Sequence, residues 1–320
     1  MSYNILIDKT KKRTLSLVSR TDTDSTLILG HEKREISPRS LNEKVITKAA
    51  NYLKLTNASF CSIELISKSY SGYIYKVLDC KNKIFIYKKF SDIDLFKKEI
   101  EIINILKHPC HVRTNNIYDI KSGYFMEEGI SMDLFNFNTP KEFFAYMCDV
   151  CSGLEYMHSM NMIHMDIKPN NIIITNVGAK IIDYGGYAIQ PHNLGSDDKV
   201  AFTIIYASPE VILNDRLITC KHDIWSFGIT LSESLFDIHP FMGNFDDVND
   251  EFDPQTAKEY LINVYRKKNN MKLVKSNMKY DIYNMFKYIF RYNCPKRIDA
   301  TTLRNIIRDI INNYVIKEYH

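Results

Sequence analysis

Glycine is scarce in this chain. Eleven glycines in 320 residues are about half the usual share of roughly 7%, which matters wherever backbone amides must approach a ligand without a Cβ in the way. Long apolar runs are missing too, and no stretch reaches the roughly 18 residues of a membrane span. The opening MSYNILIDKTKKR carries its charges after a short apolar run, the wrong order for a secretory signal. The seven cysteines are odd in number and scattered, unlike a disulfide framework, so a reducing, intracellular (cytoplasmic) setting is expected. Repeats and low-complexity tracts are absent. Neither sign of charge dominates: 42 Lys/Arg face 38 Asp/Glu, a formal +4, and nucleic-acid binding is not expected. What remains is an ordinary globular composition, 45% hydrophobic and 25% charged, long enough to bury a substantial core.

Charge and texture divide the chain. Residues 1–58 hold eleven Lys/Arg against six Asp/Glu and form an N-terminal extension. Within it, Ser40 and Glu43 make a capping-box pattern ahead of apolar residues at helical spacing, which predicts a helix near 40–55. From about residue 59 to 128, alternating aromatic and β-branched segments (FCSIELI, GYIYKVLD, KIFIYKKF, YFMEE) read as antiparallel strands. One charged helix-period run, DIDLFKKEIEIINILK, interrupts them. Residues 129–320 are mostly helical in pattern, with strand-like NIIIT and AKIID. Strands first and helices later predict an α+β fold in two lobes with a cleft between them. Cys148 and Cys151 form a C-x-x-C inside an apolar helical stretch. With no second pair or histidine cluster nearby in sequence, that reads as packing rather than metal binding.

The informative segment is His164-Met165-Asp166-Ile167-Lys168-Pro169-Asn170-Asn171, then an Ile-rich strand, then Asp183-Tyr184-Gly185. This resembles the protein kinase catalytic loop H-R-D-x-K-P-x-N followed by D-F-G. Upstream, Phe85-Ile86-Tyr87-Lys88 resembles V-A-I-K, and Glu99 opens a stretch like the family's regulatory helix. Downstream, Thr203 through Glu210 resembles the G-T-x-x-Y-x-A-P-E end of an activation segment. Asp223 through Gly228 matches D-x-W-S-x-G, and Arg297 follows in a late Cys-Pro-Lys-Arg. By these motifs, the chain resembles the eukaryotic-type protein kinases of serine/threonine kind.

The resemblance implies a bilobal α+β fold, with a small mainly antiparallel β lobe carrying one regulatory helix and a larger helical lobe. It implies transfer of the γ-phosphate of ATP to Ser/Thr hydroxyls of a protein substrate, with Mg2+ (or Mn2+) as the metal. Phosphoryl transfer needs positioning and charge neutralisation more than covalent help. Asp166 would take the acceptor hydroxyl's proton, Lys168 would balance the γ-phosphate, and Asn171 and Asp183 would be the magnesium ligands. Lys88 would hold the α/β-phosphates and pair with Glu99. Strand alternation places Ile86 and Lys88 on one face and Lys89 on the other, although charged pairs on a helix are commonly surface features. Thr203 joins the catalytic group. The nucleotide site would take in Ile66, Ser67, Ser69, Gly72, Ile74, Ile86, Lys88, Met126, Glu127, Gly129, Asp133 and Ile173. The equivalents of Glu210 and Arg297 form a buried ion pair, and that of Asp223 ties down the catalytic loop. A monomer is the default expectation.

Three departures from the pattern stand out. Ser67 and Ser69 replace the first two glycines of G-x-G-x-x-G, leaving Gly72, so weaker nucleotide binding is expected. Met165 replaces the arginine of H-R-D, which removes the guanidinium that would pair with an activation-segment phosphate. Tyr184 replaces phenylalanine and conserves the aromatic packing. Two function classes follow: an active kinase, and a pseudokinase scaffold, for which the serine-substituted loop speaks.

Overall fold

A computed structural model describes residues 60–68, 71–79, 82–114, 123–193, 200–214, 217–244, 253–273 and 278–318. The expected helix at 40–55, the rest of residues 1–58 and Ser69 lie outside these. The described residues cluster into two compact units, one of 60–105 and 112–128, the other of 106–111 and 129–318. No described helix is long and apolar enough to cross a membrane.

The first unit is an antiparallel sheet in the order β1 (Phe60–Lys68), β2 (Gly72–Asp79), β3 (Ile84–Phe90), β4 (Gly123–Met126). Alternation drives one aromatic layer into a core. Tyr75, Val77, Tyr87 and Phe125 are buried together, with the Tyr87 and Phe125 rings 4.8 Å apart. Such aromatic contacts contribute about 0.5–1.5 kcal/mol beyond their buried area. Gly72, at the start of β2, has φ +152, and a Cβ there would lie 1.9 Å from the Lys89 carbonyl oxygen. Only glycine fits where β2 meets β3 so closely. Helix α1 (Ile93–Ile105) begins where Asp92 Oδ1 accepts the Asp94 N–H at 2.7 Å. It buries Phe96, Glu99, Ile102 and Ile103 along one face. A glutamate in that apolar stripe is the anomaly.

The second unit is mainly helical. Helix α2 (Pro140–Ser159) starts at Thr139, whose Oγ1 accepts the Glu142 N–H at 3.0 Å, with proline in the first turn. Both features favour helix initiation. Strands β5 (Ile130–Ser131), β7 (Ile172–Thr175) and β8 (Gly178–Ile181) form a small sheet, and β6 (Met162–Ile163) pairs with β9 (Ala188–Ile189). Between β6 and β7 runs the loop 164–171. Helix α3 (Lys221–Phe236) is buried almost all round, and its buried polar side chains, His222, Asp223 and Ser226 among them, are hydrogen-bonded, as burial of polar groups requires. Its Trp225 stacks on Phe241 at 5.1 Å, with Tyr265 and Phe290 edge-on. A short hairpin, β10 (Ile238–His239) with β11 (Gly243–Asn244), follows, then α4 (Pro254–Arg266), α5 (Tyr280–Ile289) and α6 (Ala300–Glu318). Cys148 and Cys151 are free thiols on α2. Complete burial pushes the Cys151 thiol well up, the opposite of a reactive thiolate. Among the described residues no cluster of three or more His, Cys, Asp or Glu side chains is placed to hold a metal.

Candidate active site

In the first unit, alternation along β3 buries Lys88, while Lys89 is half-buried. Lys88 Nζ donates to both carboxylate oxygens of Glu99 at 2.8 Å. The hydroxyl of Tyr124 donates to Glu99 Oε1 at 2.6 Å. Tyr124 is the β4 partner of Lys88 in the sheet register. Tyr124 escaped the sequence reading; the signal was the alternation of Tyr124-Phe125-Met126, which sets Tyr124 and Met126 on one face. Glu99 is wholly buried and its charge is met by an ammonium and a phenol, which is what allows a carboxylate there.

Ile86 and Met126 are cross-strand neighbours, both buried, and Ile74 lies opposite Lys88 on β2. Ile66 is 51% exposed and Ser67 is exposed, beside an irregularity in the β1–β2 register. The Glu127 carboxylate accepts the Arg113 N–H at 2.9 Å. In the second unit, a Cβ on Gly129 would come within 2.9 Å of the Ile173 side chain, so glycine keeps the chain close to β7. The Asp133 carboxylate accepts from Ser131 Oγ and, at 2.9 Å, from Asn170 Nδ2.

The loop 164–171 is built around Asp166. Its Oδ1 accepts the Thr203 N–H at 2.9 Å, and its Oδ2 accepts Asn171 Nδ2 at 3.0 Å. Lys168 Nζ lies 3.1 Å from Asp166 Oδ2 and donates to Thr203 Oγ1 at 2.8 Å. Asn171 Nδ2 also donates to the Asp166 carbonyl at 2.7 Å. Four of the expected residues thus share one bonded cluster. The loop is held from below by Asp223, fully buried, whose carboxylate accepts the N–H groups of His164 (2.8 Å) and Met165 (3.0 Å) and His158 Nε2 (2.8 Å). Burial pushes the Asp223 carboxyl up, but the His158 bond and the nearby histidines outweigh it and hold it below the usual range. Met165 has φ +74 and Asp183 φ +64, a left-handed conformation rare for non-glycine residues and costing on the order of 1–3 kcal/mol.

The Ile182 N–H donates to the Asn171 carbonyl at 3.0 Å, which carries Asp183 to the side of Asn171. The donors these two residues offer are a carboxylate and a carboxamide oxygen, hard ligands that suit Mg2+ completed by phosphate oxygens and water. The next residue adds to an expectation. Tyr184 does more than conserve aromatic packing: its phenol sits 2.8 Å from the Ile181 carbonyl and 2.9 Å from His111 Nδ1. His111 Nε2 meets the Gly153 carbonyl at 2.9 Å. Burial drives His111 down to about 3, so the ring is neutral at ordinary pH. His111 gave no signal in sequence, since a single histidine after Pro-Cys looks like any buried polar residue.

Glu210 and Arg297 form a bidentate pair at 2.7 and 3.0 Å, both buried. The guanidinium also donates to the Lys221 and Arg291 carbonyls and lies over the Trp225 ring. Every donor direction of that fork is thereby used.

A four-stranded sheet with its paired lysine, a catalytic-type loop and a D-Y-G turn define the protein kinase class. The chain matches the protein kinase domain family over residues 64–306, more than half its length, and it belongs to that family. It is 32% identical over 204 residues to 3-phosphoinositide-dependent protein kinase 1 of Arabidopsis thaliana, covering 57% of this chain and 40% of that protein. It is 31% identical over 207 residues to mitogen-activated protein kinase HOG1 of Beauveria bassiana, covering 60% and 56%. Smooth muscle myosin light chain kinase of Gallus gallus is 29% identical over 228 residues, covering 62% and 11%. The chain therefore spans little more than half the length of these relatives, or less.

Proposed function

We propose that this chain is an active protein kinase that transfers the γ-phosphate of ATP to serine or threonine hydroxyls of protein substrates. The observation that carries the reading is the cluster in which Lys168 bridges Asp166 Oδ2 and Thr203 Oγ1. A scaffold has no physical need to hold a carboxylate, an ammonium and a hydroxyl in that arrangement. Asp166 orients the acceptor hydroxyl and takes its proton as the bond to phosphorus forms. Lys168 offers positive charge to the transferring group, and its tie to Thr203 fits a serine/threonine rather than a tyrosine acceptor, as the resemblance implies. Lys88, fixed by Glu99, is poised for the α/β-phosphates. Magnesium, held by Asn171 and Asp183, would neutralise phosphate charge when bound.

A pseudokinase scaffold is the second reading, and the serine-substituted loop favours it, since Gly72 does not count against it. That glycine is required by the approach of β2 to β3, so its presence says nothing about phosphate binding, and the loop's remaining glycines are serines. The test is magnesium-dependent ATP binding by calorimetry, followed by transfer of labelled phosphate to a generic protein and phosphoamino-acid analysis. Phosphoserine or phosphothreonine that disappears in Asp166→Ala is the expected result. ATP binding without any transfer would leave the scaffold.

A further inference from the structure

Four consecutive residues after Thr203 and Ile204 are each fastened by a buried side chain from elsewhere in the second unit. The Ile205 carbonyl accepts His239 Nε2 at 2.7 Å, and the Tyr206 carbonyl accepts Ser226 Oγ at 2.8 Å. The Ala207 carbonyl accepts the Tyr265 hydroxyl at 3.2 Å, and Ser208 Oγ lies 2.9 Å from His222 Nδ1. His239, Ser226, Tyr265 and His222 are all buried. None of these four was singled out by its motif for such a task.

The two histidines have defined roles. His239 Nδ1 accepts the N–H groups of Phe241 (3.2 Å) and Met242 (3.1 Å), so its proton sits on Nε2, facing Ile205. Burial lowers His239 to about 4, which keeps this tautomer neutral. His222 Nε2 faces the Met165 carbonyl at 3.0 Å, which can only accept, so Nε2 carries a proton, and Nδ1 is the atom that meets Ser208 Oγ. His222 and its neighbour Asp223 therefore grip the left-handed Met165 from both sides, through its carbonyl and its N–H.

We propose that His239 and His222 are positioning residues for phosphoryl transfer: His239 fixes, through Ile205, the segment that presses Thr203 onto Asp166 and Lys168, and His222 ties that segment's end to the loop at Met165. The proposal rests on the kinase reading above. Neither histidine touches the reacting groups; each acts through backbone two or fewer residues from one that does.

Two conservative variants separate the bonds of His239. Asparagine keeps an acceptor for the Phe241 and Met242 amides but is too short for Ile205; glutamine keeps the reach to Ile205. In steady-state assays with ATP and myelin basic protein, His239→Asn should lower kcat tenfold or more with KM for ATP within twofold of wild type. His239→Gln should recover kcat to within threefold. In a Thr203→Ala background, which removes the hydroxyl tie to Lys168 and keeps the N–H to Asp166, His239→Asn should lower kcat by a smaller factor than in the wild-type background. His222→Ala should likewise lower kcat with KM for ATP unmoved. Hydrogen exchange on the same proteins, which needs no activity, should show the Tyr206 and Ala207 amides exchanging at least tenfold faster in His239→Asn, with those of α2 unchanged. If wild type transfers nothing, the kinase reading falls and the exchange result alone judges the positioning. Unchanged exchange at 206–207, or equal losses in kcat with asparagine and glutamine, would overturn the proposal.

Discussion

The phenol of Tyr184 and the imidazole of His111 meet at 2.9 Å in a fully buried contact between residues 73 positions apart. Each also reaches a backbone carbonyl, Ile181 for the tyrosine and Gly153 for the histidine. The D-Y-G turn is therefore pinned by polar bonds as well as by ring packing.

Because burial lowers His111 from 6.5 to about 3, the unfolded chain binds a proton below pH 6.5 that the native state refuses. Stability should then fall as pH drops from about 6.5 toward 3, with His111 contributing on the order of 1 kcal/mol between pH 6 and 5. Denaturant unfolding at both pH values, for wild type and His111→Phe, checks this: the variant should lose about 1 kcal/mol less over that interval. Parallel slopes would show that the buried ring is not the source.

The Lys88–Glu99 pair is a buried charge pair, and removing one partner strands the other. Lys88→Met or Glu99→Leu alone should destabilise by about 3–5 kcal/mol, whereas the double variant should recover most of that. Chemical denaturation measures the recovery. All three proteins should be inactive, since the lysine or its support is gone. Lys89→Met should leave activity within a few-fold of wild type, because Lys89 lies outside this pair.

Asp166→Ala should lower kcat by at least about 100-fold, the lower end of what a positioned base contributes, with ATP affinity within threefold. Single-turnover transfer alongside calorimetric ATP binding separates the two quantities. A kcat within tenfold of wild type would move the base to another residue.

Gly72→Ala places a Cβ on the Lys89 carbonyl at a strained φ, so it should reduce stability by several kcal/mol, on the scale of the larger single-site effects. Ser67→Gly, at an exposed position, should leave stability within about 1 kcal/mol and lower the KM for ATP. Thermal unfolding and ATP titration of the two variants distinguish a structural glycine from a missing ligand-facing one.

The layout of the fold was open to reading because its periods are strong. Alternation in Phe85-Ile86-Tyr87-Lys88 set Ile86 and Lys88 on one face, whereas the pairing of Glu99 with Lys88 followed from the family resemblance alone, because a glutamate on a charged helix is commonly a surface residue. The α+β division was legible from strands preceding helices. What stayed hidden depends on partners far along the chain. Tyr124, His111, His222 and His239 are ordinary residues in apolar surroundings, and their roles appear only when folding brings a carbonyl or a carboxylate to them. Tyr184 shows the limit of reading by substitution class: its ring was anticipated and its hydroxyl was not.

The grip on Met165 has a consequence for how this loop tolerates change over generations. Its left-handed backbone is held by Asp223 on the N–H and His222 on the carbonyl, atoms that every amino acid except proline supplies. Loop geometry is thus insulated from the identity of the side chain at that position. Apolar replacements of similar volume can drift in without disturbing Asp166 next door, whereas changes at residues 222 and 223 have no such freedom.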